Sequence, residues 1–168
     1  MADDEVDERT AHHEAGHAVA YLASGLSIRY ATIRARGGNH GRVAPPRRRR
    51  IGVTDAYVTA CAGPVAEGLY LWHAADEDDR AGCEVNDFIM AAWLAGGCGD
   101  MQVFDGEREG VWDSWQDTTK TMVVERYWPA VTAIAEALLI HNTLPGRVLR
   151  ELAEDSGLPL WCMAGLRR

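Results

Sequence analysis

Apolar and helix-compatible residues follow an acidic opening turn: Val6, Ala18, Val19, Ala20 and Leu22 precede a stop at Gly25, which predicts a helix over residues 4–24. The period then changes. Ile28, Tyr30, Thr32 and Ile33 place β-branched and aromatic side chains in rough alternation, which predicts a strand over 28–34. Gly37, Gly38, Asn39 and Gly41 punctuate a turn, Val43 begins a short returning strand, and Pro45 and Pro46 lead into a loop. A second helix fits 54–71, interrupted at Gly63-Pro64, and a charged loop fits 72–82. A third helix fits 84–95 and ends at Gly96-Gly97. Residues 98–112 are Gly-rich and acidic, the composition of a long loop. A fourth helical pattern covers 114–140, where Pro129 is expected to divide it after Trp128. Leu144-Pro145-Gly146 starts a last helix over 147–154.

These elements make a mainly α fold with a small β-sheet or hairpin near the N-terminal third. A length of 168 residues suits a single domain, 1–168, with room for a core. No apolar run approaches the ~18 residues that cross a bilayer. Residues 1–8 are too acidic for a secretory or transit peptide. The expectation is a cytoplasmic protein with no membrane segment. The net charge of −8 argues against a general nucleic-acid binder. The arginine run at 47–50 reads as a solvated loop in an acid-rich chain. Cys61, Cys83, Cys98 and Cys162 form no C-x-x-C pair and read as reduced, mostly buried thiols. Trp93, Trp112, Trp115 and Trp128 read as packing residues.

The chemistry concentrates in the first helix. His13-Glu14-Ala15-Gly16-His17 is an H-E-x-x-H pattern. Residues four apart share a helix face, so His13 and His17 can reach one metal ion. Glu14 stands beside that face. Zinc lowers the pKa of a water it holds to about 7, so a neighbouring carboxylate can take its proton. Polar groups at these positions of an Ala/Val/Leu segment are costly unless something satisfies them. His12 points about 100° away from His13 around the helix and is expected to be exposed.

A catalytic zinc needs a third protein ligand and one open position. By chemistry alone His12, His40, His73, His141 and many carboxylates qualify, and nothing selects one of them. Asp87, near the start of the third helix, is one such carboxylate, although an acid there often serves only the helix dipole.

At this point the chain resembles a family, the zinc peptidase domain of the FtsH proteases, over about residues 10–150. His13-Glu14-Ala15-Gly16-His17-Ala18 resembles that family's zinc helix. Thr32-Ile33-Arg34-Ala35-Arg36-Gly37, followed by Gly41, resembles its T-I-x-P-R-G strand and turn, with Ala35 in place of proline. Ala62-Gly63-Pro64-Val65-Ala66-Glu67 resembles G-R-x-A-E, with Pro64 in place of arginine. Gly82-Cys83-Glu84-Val85-Asn86-Asp87, with Ala91 beyond, resembles the G-A-x-N-D-x-x-x-A helix that carries the third ligand. Thr143-Leu144-Pro145-Gly146 resembles the late L-x-G turn. The resemblance implies zinc held by His13, His17 and Asp87, Glu14 as general base, and hydrolysis of peptide bonds in peptides or unfolded proteins. No G-x-x-x-x-G-K-[ST] loop accompanies these segments, so the family's AAA+ ATPase function is not expected here; this leaves room for a separate ATPase partner.

Two further readings accompany the metallopeptidase: a zinc-stabilised binding or regulatory module without turnover, and a zinc hydrolase acting on non-peptide amides. The segment Tyr30 to Arg36 reads equally as an edge that a peptide substrate joins or as an ordinary paired strand. Glu67 reads as a surface residue of the second helix, with support of a ligand histidine as the alternative.

Overall fold

The computed structural model describes residues 2–34, 41–45, 51–95, 98–107 and 110–159. Helix α1 (Ala2–Ala23) is the centre of the molecule. From Ala11 onward nearly every side chain is buried, with Ala11, Ala15, Ala18, Val19 and Ala20 fully so. A helix buried on every side must be built from small residues wherever neighbours approach closely. Helix α2 (Val53–Ala74) packs along it. A Cβ on Gly16 would stand 2.6 Å from the Ala66 Cβ and would collide with the Ala62 carbonyl, so glycine at 16 sets this approach. On its other sides α1 meets α7 (Trp128–His141), whose Val131, Ile134, Ala135 and Leu138 are fully buried. Each large aliphatic buried in this way contributes about 1.5–3 kcal/mol.

The sheet has three short antiparallel strands in the order β2 (Arg42–Ala44), β1 (Tyr30–Thr32), β3 (Thr143–Pro145). Ala31 sits opposite both Val43 and Leu144. Of the two equal readings of this segment, the ordinary paired strand is the one found: β1 is the central strand, and β2 and β3 are the edges. Val43 does lie in a returning strand, while the glycine turn at 37–39 and the arginine run at 47–50 lie outside the described residues. Residues 143–145, expected only to start the last helix, add a strand instead. The cause is Asn142, which takes a left-handed φ of 59° and redirects the chain from α7 to β1. Its carbonyl accepts the Ile33 N–H at 3.0 Å and the Thr32 hydroxyl at 2.9 Å.

The helices are mostly where the apolar pattern puts them, with four differences. Helix α2 runs unbroken through Pro64, the missing proline N–H being tolerated within a buried helix, and continues to Ala74. A short helix, α3 (Glu77–Arg80), capped by the Asp76 side chain, occupies part of the expected charged loop before α4 (Val85–Ala95). The expected loop at 98–112 contains α5 (Cys98–Met101), a 3-10 turn (Gln102–Phe104) and the start of α6 (Val111–Thr119). Helix α6 passes into a π-helical segment (Lys120–Glu125), and the break before α7 falls at Arg126–Tyr127 rather than after Trp128. Pro129 stands in the first turn of α7, where its absent N–H has no helical partner to lose. Helix α8 (Gly146–Asp155) closes the described fold, and among the described residues no helix is long and apolar enough to cross a membrane.

Candidate metal centre

The H-E-x-x-H residues lie inside α1, where burial makes their satisfaction obligatory. His17 donates Nδ1–H to the Thr59 carbonyl at 2.6 Å. His13 donates Nδ1–H to Glu67 at 3.0 Å. Both acceptors lie on α2, and neither can donate. They fix both rings in the Nδ1–H tautomer, which leaves the Nε2 lone pairs free. The two Nε2 atoms point at each other 3.0 Å apart. Asp100 brings Oδ2 to 3.3 Å from that of His13 and 3.4 Å from that of His17.

Three acceptor atoms this close repel one another unless a proton or a cation lies among them. Tetrahedral zinc with bonds of ~2.0–2.1 Å separates its ligands by about 3.3 Å, which is the size of this triangle. Among the described residues, His13, His17 and Asp100 form a group able to hold a metal ion. Gly63 makes the space: a Cβ there would collide with the His17 ring and lie 2.7 Å from His13 Nε2.

Glu14 is buried beside this cluster, and its Oε2 has no hydrogen-bond partner among the described residues. The backbone of Gly41 covers it, since a Cβ there would lie 2.6 Å from the Glu14 Cγ. A buried carboxylate oxygen of this kind calls for a physical account, and a catalytic role is one.

The electrostatics follow from the packing. Burial pulls the His13 pKa down, but hydrogen bonds to Asp100 and Glu67 outweigh it and hold the ring at about 10. His17 is also raised: burial opposes, and the Asp100 charge prevails. Burial opposes ionisation of Asp100 and Glu67 as well. The two histidines hold Asp100 well below the usual carboxylate range, and His13 with Arg9 lowers Glu67. Burial pushes Glu14 up, against the pull of His17 and His13.

The structure brings together His13, Glu14 and His17 as the spacing predicts, but not Asp87. That residue is exposed in the first turn of α4, where its Oδ2 accepts the Glu84 N–H at 2.7 Å and serves the helix start. Asp100, from the one-turn α5, stands at the cluster instead. Glu67 is not a surface residue: it is buried between His13 and Arg9, whose guanidinium reaches it at 2.8 and 3.1 Å. His12 is buried too, stacked on Tyr70 with ring centroids 4.1 Å apart. No protein-family model matches the chain, and a comparison with curated proteins finds no match.

Proposed function

We propose that this chain is a zinc-dependent metallopeptidase of the FtsH peptidase type, with His13, His17 and Asp100 as metal ligands and Glu14 as general base. The observation that carries the reading is the convergence of two oriented Nε2 atoms and one carboxylate oxygen beside the buried Glu14 carboxylate. Zinc bound there would supply Lewis acidity, acidifying water and polarising a carbonyl. Glu14 would accept a proton from the attacking water at Oε2 and return it to the leaving amine. Glu67 and the Thr59 carbonyl would keep both imidazoles oriented. Edge strand β2 follows Gly41, which lies against Glu14, so an extended peptide joining that edge would pass the cluster.

The test measures zinc content together with hydrolysis of casein or a quenched peptide. Wild type is expected to hold one zinc per chain and to cleave. Glu14→Gln should keep the zinc and lose about 10²–10⁴-fold in rate. A Gln variant as fast as wild type would remove Glu14 from the mechanism. Asp100→Asn should weaken zinc binding where Asp87→Asn leaves it unchanged; the reverse would restore Asp87 as the ligand.

The enclosure of the cluster favours a second reading. His13 and His17 side chains are 12% and 11% exposed and Asp100 25%, an enclosure that would suit a structural zinc in a binding module if a fourth protein ligand closed the site. That module would bind zinc, show no turnover, and be indifferent to Glu14→Gln.

A further inference from the structure

The two histidines come from one rigid helix, whereas Asp100 comes from a segment that is mostly in solvent. Gly99, Met101, Gln102, Val103, Asp105, Gly106 and Glu107 are exposed, and Phe104 is half-buried. The backbone of α5 approaches α2 and α4. Beyond α5, two side chains of this segment, Phe104 and Glu107, reach the same residue, Tyr57. The Phe104 ring stacks on Tyr57 with centroids 4.8 Å apart and planes 14° from parallel. The Tyr57 hydroxyl donates to the Glu107 carboxylate. Tyr57 is itself buried and is backed by Trp115, with centroids 5.5 Å apart. It stands on α2 two residues before Thr59, whose carbonyl orients His17.

We propose that Tyr57 and Glu107 form a clasp that holds the Asp100 segment in the ligating position, and so set how tightly the cluster binds a divalent metal. The proposal rests on the metal reading of the cluster. A ligand already in place spares the metal the cost of ordering it, so releasing the clasp weakens binding without touching a ligand. Tyr57 and Glu107 are positioning residues, since neither reaches the metal-binding atoms.

The experiment titrates zinc(II) into the full-length apo-protein in competition with a chromophoric chelator. Tyr57→Phe keeps the ring stack and removes only the hydroxyl. Glu107→Ala, at an exposed position, removes the acceptor without disturbing the core. Both should raise the zinc dissociation constant by about 10–100-fold, as loss of a group supporting a ligand does. Glu107→Gln keeps an acceptor oxygen and should bind close to wild type. In an Asp100→Asn background neither Tyr57→Phe nor Glu107→Ala should weaken binding further. Unchanged zinc affinity in both clasp variants would overturn the proposal, and so would an equal loss in the Asp100→Asn background. Failure of the wild type to take up zinc would be a different result, since it removes the metal reading itself.

Discussion

Glycine at position 63 is the smallest residue of the site and one of the least replaceable. Both Nε2 atoms occupy the volume that a Cβ would need. Gly63→Ala is therefore expected to displace the His17 ring and abolish stoichiometric zinc uptake by the folded protein, read as zinc per chain after gel filtration. A variant that still holds one zinc would show that α1 and α2 separate more easily than their packing implies. The cysteines allow a second residue-level prediction. Burial pushes the Cys61 thiol up to about 12, whereas Cys83 is exposed. A brief iodoacetamide pulse at pH 8 on native protein should label Cys83 and spare Cys61 in peptide mapping, because the thiolate is the nucleophile. Equal labelling would mean that the α2 face opens on the time scale of the pulse. The facing histidines were legible in the sequence because helix geometry turns an i, i+4 spacing into proximity. Asp100 was not, and Glu67 was only as the lesser of two readings, since their partners lie 54 or more positions away and only tertiary packing unites them. Asp87 had a chemically adequate local use, capping α4, and that use prevails.

At the scale of elements, α2 organises the centre. Thr59, Gly63 and Glu67 recur at intervals of four along one face and brace His17, make room for both rings, and hold His13. The sequence carries this stripe openly, but its meaning appears only when α1 lies across it. The apolar pattern likewise foretold α1, α2, α4, α7 and the antiparallel β1–β2 pair. It missed β3 because three residues hold too little pattern to distinguish a strand from a helix entry. It also missed the π-helical stretch, which the Lys120–Glu125 ion pair, five residues apart at 3.4 Å, accompanies. The α7–β3 junction yields a further test. Asn142 holds a left-handed backbone that costs most L-residues about 1–2 kcal/mol. Asn142→Ala should therefore destabilise the protein by about that amount in urea unfolding, and Asn142→Gly by less. An Ala variant as stable as the Gly variant would mean that this turn is not held in the left-handed region.

At the scale of the whole molecule, a metal bound at this centre would be coupled to stability and to pH. Without metal, a proton on His13 reconciles the facing acceptors, and the neighbouring carboxylates raise its pKa to about 10 from a usual 6.5. A pKa raised by folding contributes stability that is complete below 6.5 and is lost as pH climbs through 10. The metal-free protein should therefore weaken across that window. Zinc requires the neutral ring, so its binding expels this proton and tightens as pH rises. The two are one linkage through the same proton: the melting-temperature gap between zinc-loaded and chelated protein should widen from pH 6.5 to 8.5. At free zinc 100 times the dissociation constant the stabilisation is about 2.7 kcal/mol, which for a domain of this size raises the melting temperature by about 5–10 °C. Proton release is read independently from calorimetric binding enthalpies in buffers of different ionisation heat. A gap that stays constant or narrows with pH, together with no buffer dependence of the enthalpy, would show that His13 is already neutral in the metal-free protein. The Asp100 and Glu67 carboxylates would then have to be balanced by Arg9 and solvent rather than by the two histidines.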